Sequence, residues 1–171
     1  TRTLPPRYPH TNCTLPSHFV RIFAHRGQDM MKPPPIRRSH GEVAFFHEIT
    51  TETVSELILN LKDLEHEHLH AQIEYGLEAP PPIKLTICSD GGDLLAGIAA
   101  MDHIRVSRVP IHTYVQGTCS SAATLISIAG HKRFMGKHAF MLIHQLRTWM
   151  GGKFEEVKEE LQNCELFMET I

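Results

Sequence analysis

The sequence predicts one α/β domain built on a largely parallel β-sheet. Short apolar runs typical of strands alternate along the chain with longer stretches in which apolar residues recur every three to four positions. Glycine-rich turns follow several of the predicted strands, and 171 residues are enough for one core but few for two. Alternating strands and helices favour parallel strands joined by right-handed crossovers. We therefore expect functional residues where strands end and helices begin.

The first 40 residues differ in composition from the rest of the chain. Seven of the eleven prolines precede residue 36, and apolar residues show little periodicity there. Such a segment buries too little apolar surface to fold by itself. We expect residues 1–40 to form an extended or disordered proline-rich leader and residues 41–171 to form the folded domain.

The first predicted strand and helix follow this leader. Residues 43–46 are apolar and predict a short strand. Thr50 or Thr51 can cap the next helix, because a threonine hydroxyl accepts a hydrogen bond from a free N–H of the first turn. Three prolines at 80–82 end this region. The apolar positions of the helix follow a 3.6-residue period and are Val54, Leu57, Ile58, Leu61 and Leu64.

Two further pairs of strand and helix occupy the middle of the chain. Gly117 permits the turn into the second helix, and Gly130 ends that helix. The predicted elements are a strand at 83–88, a tight turn at 89–92, a helix at 94–106, a strand at 111–116 and a helix at 120–129.

A strand and a long helix complete the predicted domain. Residues 140–143 are an apolar run that predicts a buried strand ending at His144. From Lys153 onward, apolar residues are spaced alternately three and four positions apart, which predicts a helix with a narrow apolar stripe. Such a stripe suits packing against another helix or against the sheet of the same chain. The stripe consists of Phe154, Val157, Leu161, Cys164, Met168 and Ile171.

Composition argues against several classes of protein. The net charge of −2 offers no basic excess for nucleic acid, and no apolar run reaches the length of a membrane-spanning helix. The N-terminus lacks the charged and apolar order of a secretory signal. Four cysteines, at 13, 88, 119 and 164, show no Cys-x-x-Cys spacing. We expect a reduced, cytoplasmic protein.

Three predicted strand ends carry residues suited to acyl-transfer chemistry. Gly91 and Gly92 follow one strand, and paired glycines expose backbone N–H groups and let another backbone approach. Ser120 and Ser121 follow the next, where a hydroxyl in the first helical turn lies near unpaired N–H groups. His144 follows the third and can serve as a general base. Each residue alone has an ordinary structural explanation, but their shared location indicates a catalytic site.

A second pattern, H-E-x-x-H, predicts a different chemistry. His66, Glu67 and His70 match this signature of zinc peptidases. At about 100° per residue, the two histidines lie roughly 140° and 180° from Leu61, and therefore face solvent. A catalytic zinc ion needs a sheltered cleft and a third ligand. We interpret this segment as a solvated helix face.

Several motifs in the same order carry a resemblance to a known family. The family's Ser-Pro-Gly-Gly motif is similar to segment 89–92, and its Ala-Gly motif is similar to Ala96-Gly97. Its Gly-x-Ala-Ala-Ser-Met motif is similar to segment 117–122, and its Met-Ile-His-Gln-Pro motif to segment 142–146. Ser121 lies 29 positions after Gly92 and 23 before His144, which is similar to the family's spacing. Over residues 42–171 the chain thus resembles the proteolytic subunit of the ATP-dependent Clp protease.

The resemblance implies a crotonase-like α/β fold of repeated β-β-α units with a protruding C-terminal handle helix. It also implies a serine endopeptidase that hydrolyses unfolded polypeptides through a Ser-His-Asp triad. Ser121, rather than Ser120, would be the nucleophile and His144 the general base. The backbone N–H groups of Gly92 and Ala122 would form the oxyanion hole.

Substrate and partners also follow from the resemblance. Gly91 and Asp90 would contact the polypeptide substrate. The family assembles as heptameric rings that enclose the active sites, and an AAA+ unfoldase partner consumes the ATP. The resemblance therefore implies a homo-oligomer without a cofactor in this chain.

This sequence departs from the family pattern at several positions. Asp90 and Leu146 stand where the family has prolines, and residues 1–40 do not resemble its N-terminal segment. No aspartate follows His144, so we expect the triad aspartate beyond Ile171 and a chain that is incomplete at its C-terminus. Two alternatives therefore stay open. One is a catalytically weak ring subunit, and the other is a crotonase-type acyl-CoA enzyme, which uses paired backbone N–H groups on a thioester enolate.

Overall fold

The structure is a computed structural model that describes residues 36–144 and 153–170. The predicted leader lies outside these residues except for its last five positions. The described residues form six strands and four helices. In chain order these are β1 (Arg37–Ser39), β2 (Glu42–Phe45), α1 (Thr51–Glu74), β3 (Ile83–Ser89), α2 (Leu94–Val106), β4 (Ile111–Ser120), α3 (Ala123–Ala129), β5 (Lys132–Met135), β6 (Phe140–Leu142) and α4 (Phe154–Thr170).

The strands form one mixed sheet in which most neighbours are parallel. The order is β1-β2-β3-β4-β5, and β6 also pairs with β4. Only β1 is antiparallel to its neighbour among the described strands. Helices connect the parallel strands, as crossovers between parallel strands require. The predicted α/β fold with a largely parallel sheet is confirmed.

Strand β4 changes its partner partway along. Its residues 112–115 pair with β5, and its last residues, 118–120, pair with β6. Between these two halves its register with β3 shifts, and Gly117 adopts a φ of 71°. An irregularity of this kind bends a strand and redirects the residues that follow. Strand β4 therefore runs to Ser120, beyond the predicted end at residue 116.

The core lies where α1, α2 and α3 pack against the sheet. Thr50 is the N-cap of α1: its hydroxyl accepts the Thr53 N–H at 3.2 Å, and the Thr53 hydroxyl accepts the Thr50 N–H at 3.0 Å. The predicted apolar stripe of this helix is buried except for Ile58, which is partly buried. The largest fully buried side chains are Val43, Phe45, Ile49, Leu57, Leu61, Leu64, Ile83, Leu85, Ile87, Ile104, Ile111 and Ile126.

Two short strands were not predicted from the sequence. Strand β1 lies within the expected leader, but Arg38 joins it to α1 through ion pairs with Asp63, at 3.2 Å, and with Glu67. Ile36 is buried beside it. The four residues of β5 are all exposed and show no alternation, so only their pairing with β4 makes them a strand.

The last two elements are more exposed than the sequence predicts. Strand β6 was expected to be buried, yet Phe140 is 61% exposed and Leu142 is 43% exposed, because β4 is the only described element that packs extensively against β6. Phe154, Leu161 and Leu166 of α4 are also exposed. None of the helices in the described ranges has the length and apolar composition to cross a membrane.

The buried thiol of Cys119 gives a test of the core. Burial, with a smaller contribution from Cys88, raises the pKa of the Cys119 thiol to about 11. Because the thiolate is the reactive form, we expect N-ethylmaleimide at pH 8 to spare Cys119 in the folded chain and to modify it in urea. The half-buried Cys164 is the internal comparison. Mass spectrometry that finds equal native rates at both cysteines would contradict this burial.

Candidate active site

The turns after β3 and β4 are in direct contact. A Cβ placed on Gly91 would lie 2.7 Å from the Cβ of Ser121 and 2.7 Å from the carbonyl oxygen of Ser120. The same point is 3.4 Å from the backbone nitrogen of Ala122. Gly91 also has a φ of 101°, so two independent constraints require glycine there. The contact places the backbone of the first turn against the predicted nucleophile.

The backbone of the glycine turn is oriented by Ile49, in the segment between β2 and α1. The Ile49 N–H donates to the Gly91 carbonyl at 2.8 Å, and the Ile49 carbonyl accepts the Asp93 N–H at 2.8 Å. In a trans peptide the C=O and N–H point in opposite directions. The Gly92 N–H shares a peptide with the Gly91 carbonyl and therefore points away from Ile49. Because β3 lies between β2 and β4, this N–H points within the plane of the sheet away from β2 and toward the end of β4, where Ser121 lies.

Ser121 has a strained backbone. Its φ of 53° is the one positive φ of a non-glycine residue in the described ranges. The Ser121 N–H donates to the Leu142 carbonyl of β6 at 2.9 Å. Its carbonyl accepts the Thr124 N–H at 2.9 Å and the Thr124 hydroxyl at 2.7 Å. Such conformations persist where the surroundings enforce them, and they cluster at functional sites.

The position of Ser121 corrects one expectation from the sequence. Helix α3 begins at Ala123 rather than at residue 120, so Ser121 lies in the turn before the helix and not in its first turn. The cause is β6, which gives the end of β4 a partner and keeps Ser120 in the strand. The neighbouring Ser120 is buried, and its hydroxyl lies 3.1 Å from that of Thr118.

Ala122 presents the second backbone N–H of the candidate site. Its N–H shares a peptide with the Ser121 carbonyl, which is directed at Thr124. By the same planarity, the Ala122 N–H points away from Thr124. The side chain of Ala122 is buried. The backbone alone is therefore the part of this residue that could act on a ligand.

His144 lies just past the end of β6. It follows by two residues Leu142, whose carbonyl accepts the Ser121 N–H. Two residues of extended chain span about 7 Å at most, so the backbone of His144 is close to that of Ser121. His144 is half-buried. All three predicted turns therefore gather at the carboxyl ends of β3, β4 and β6.

An open cleft of about 390 Å³ adjoins the glycine turn. Asp90 is exposed at this cleft, and Phe46, His47 and Glu48 contribute from the end of β2. These last three residues were not predicted from the sequence to belong to the site. Since parallel strands end at one edge, the residues after β2 could have been included on that ground. The full lining is Phe46, His47, Glu48, Cys88, Ser89, Asp90, Gly91, Gly92 and Thr118.

The H-E-x-x-H segment lies on the solvent face of α1, as its helix phase predicts. His66 and His70 are exposed. Glu67 pairs with Arg38, and His70 lies 3.7 Å from Glu74. No group of three or more metal-ligating side chains is found in residues 36–144 and 153–170. These contacts give the segment a structural role on the outside of the domain.

Comparison with known proteins points to one family. The family model described as Clp protease matches residues 39–171. An ATP-dependent Clp protease proteolytic subunit 2 from Treponema denticola is 36% identical over 91 residues, which cover 52% of this chain and 46% of that protein. The corresponding subunit from Leuconostoc citreum is 40% identical over 81 residues, covering 44% and 39%.

A solved structure agrees with this assignment. A mutant of ClpP1 from Listeria monocytogenes matches with a TM-score of 0.57 and 26% identity, over 74% of this chain and 67% of that one. The chain spans about half the length, or less, of the curated relatives it matches. The family model nevertheless covers most of the present sequence and includes all three turns of the candidate site. The chain therefore belongs to the Clp protease family.

Proposed function

We propose that this chain is a serine endopeptidase subunit in which Ser121 is the nucleophile and His144 the general base. The observation that carries the proposal is the contact between Gly91 and the strained Ser121. This contact brings Ser121, on a sharp turn, against the backbone of the glycine turn, which an extended polypeptide could approach. Family membership makes peptide hydrolysis the reaction class that best suits this arrangement.

The chemistry assigns separate roles to the two side chains. His144 would accept the proton of the Ser121 hydroxyl as its oxygen attacks the peptide carbonyl, and would return that proton to the leaving amine. Water would then hydrolyse the acyl group from Ser121 by the same steps in reverse order. No aspartate follows His144 in this sequence. Ser121 and His144 are therefore candidates for the serine and the histidine of a Ser-His-Asp triad.

Two backbone N–H groups would stabilise the oxyanion of the tetrahedral intermediate. The Gly92 N–H points away from Ile49, and the Ala122 N–H points away from Thr124, by the peptide geometry described above. Backbone donors fixed in place before the reaction stabilise developing charge without reorganisation. The replacement of the family's methionine by Ala122 does not alter this role, because it requires only the backbone.

Gly91 and Asp90 would contact the polypeptide substrate. Gly91 lies beside Ser121, and the exposed Asp90 lines the adjoining cleft of about 390 Å³. We propose an extended, unfolded polypeptide as substrate, since such a chain can pair with the backbone of the turn. The carboxylate of Asp90 adds a negative charge at this edge.

The assembly we propose is a homo-oligomeric ring in the cytoplasm that works with an AAA+ unfoldase. The unfoldase would consume the ATP, so the chain itself would need no cofactor. Exposed apolar side chains support an assembly: Phe140 is 61% exposed, Ile143 is 75% exposed and Phe154 is 78% exposed. Burying such residues against a second copy removes apolar surface from water.

Covalent labelling tests the nucleophile. We expect a fluorophosphonate to modify Ser121, because it forms a stable adduct with an activated serine. Ser121→Ala should abolish labelling, and His144→Ala should slow it at least about 100-fold, since a general base contributes that much. The label is located by peptide mass spectrometry.

Ser120→Ala is the matched control for that experiment. Ser120 is adjacent, and its hydroxyl lies 3.1 Å from that of Thr118, so this variant should label at the native rate. Labelling that persists in Ser121→Ala would exclude Ser121 as the nucleophile. A folded chain that does not label at all would favour the catalytically weak subunit.

Substitution of Gly91 tests the contact that carries the proposal. A Cβ in Gly91→Ala would overlap the Ser121 side chain, and we expect labelling to fall at least about 10-fold, since this displaces the reacting atoms. Gly76→Ala is the control, because Gly76 also has a positive φ of 62° but has no atom within 4 Å of an added Cβ. Equal labelling of both variants would refute the role of Gly91.

Sedimentation tests the assembly. We expect a species several times heavier than the 19.4 kDa chain, and Phe154→Glu should shift it toward the monomer, because a charge buried without a partner is unfavourable. Glu155→Gln, on the same turn of α4, should leave the assembly intact. A wild-type chain that sediments only as a monomer would contradict the ring.

A further inference from the structure

Thr124 makes two hydrogen bonds to the same carbonyl oxygen. Its N–H donates to the Ser121 carbonyl at 2.9 Å, as expected at the start of a helix, and its hydroxyl donates to the same oxygen at 2.7 Å. Thr124 is buried, with 7% of its surface exposed. The Thr124 side of this bond is therefore shielded from competing water, while Ser121 is half-buried.

The start of α3 has no other side-chain cap. Ala122 occupies the N-cap position and makes no side-chain hydrogen bond there. Threonine hydroxyls in helices often bond to a carbonyl three or four residues earlier. Here the acceptor is the carbonyl of the residue with a φ of 53°. The bond thus acts on the one strained non-glycine backbone in the described ranges.

The peptide that Thr124 holds is the one between Ser121 and Ala122. Its carbonyl points at Thr124, so its N–H points in the opposite direction. The preceding peptide is also fixed, because the Ser121 N–H donates to the Leu142 carbonyl at 2.9 Å. Rotation of this peptide about the axis through its two Cα atoms would move the Ala122 N–H relative to the Ser121 side chain. The bond from the Thr124 hydroxyl opposes that rotation.

We propose that Thr124 is a positioning residue for acyl transfer. Its hydroxyl holds the Ser121–Ala122 peptide so that the nucleophile and the Ala122 N–H keep the geometry of the tetrahedral intermediate. This inference rests on the proposed function of Ser121. It adds a buried side chain, outside the three predicted turns, on which the rate of the chemical step depends.

Thr113 offers a matched control for the same chemical change. Its hydroxyl donates to the Ser127 carbonyl of α3 at 2.8 Å, and its side chain is fully buried. Thr113→Val and Thr124→Val therefore each remove one buried hydroxyl that donates to a carbonyl at one end of α3. Only Thr124 bonds to the residue proposed as the nucleophile.

The experiment measures fluorophosphonate labelling as a saturable reaction, which separates the affinity for the probe from the rate of the covalent step. We expect Thr124→Val to lower the rate of the covalent step about 3- to 10-fold with unchanged affinity, as the loss of one hydrogen bond allows. Thr124→Ser keeps the donor and should restore most of the rate. Thr113→Val should label at the native rate. Urea unfolding of each variant confirms that labelling is measured on folded protein.

Two outcomes would overturn the inference while the proposed function stands. One is a native rate of the covalent step in Thr124→Val. The other is an equal slowing in Thr113→Val, which would make the effect a general loosening of α3. A wild-type chain that fails to label at Ser121 would remove both the proposed function and the role of Thr124. Rescue by Thr124→Ser alone would support the inference, because a purely steric role would not require the hydroxyl.

Discussion

The pairing of the end of β4 with β6 is the constraint on which the candidate site depends. Beyond the irregularity at Gly117, β4 leaves β5 and pairs with β6 over its last three residues. The hydrogen bond from the Ser121 N–H to the Leu142 carbonyl continues this pairing into the turn. This single bond connects the turn that carries Ser121 to the strand that leads to His144. Together with the three paired residues of β4 and β6, it keeps Ser121 and His144 at neighbouring strand ends.

Peptide planarity explains why the site can be built from backbone atoms. Ile49 orients the peptides on both sides of Gly92, and Thr124 orients the peptide between Ser121 and Ala122. In each case one hydrogen-bonding group of a peptide is engaged by the fold, and the other group points in the opposite direction. Ile49, which acts through its backbone, and Thr124 are both buried in the core, so the stability of the core and the geometry of the site are physically linked.

Local patterns predicted the elements whose cause is local. The stripe of α1, its cap at Thr50 and the turn at Gly91 follow from periodicity, capping and backbone freedom. The turn predicted at Gly117 was wrong, because Gly117 lies at an irregularity inside β4 and the strand continues to Ser120. Strands β1 and β5 could not be found in this way, because one is held by ion pairs to α1 and the other by pairing with β4. The exposure of β6 also depends on its neighbours, which a run of apolar residues does not reveal.

The sequence by itself determined the fold class, the family resemblance and the identity of the candidate residues. Motif order and spacing are properties of the chain alone, and they do not depend on where each helix or strand begins and ends. Only the tertiary structure decided that Ser121 lies in a strained turn before α3, that Gly91 touches it, and that Thr124 holds its carbonyl. These facts depend on which strands become neighbours, and that choice is made by long-range pairing and burial rather than by local preference.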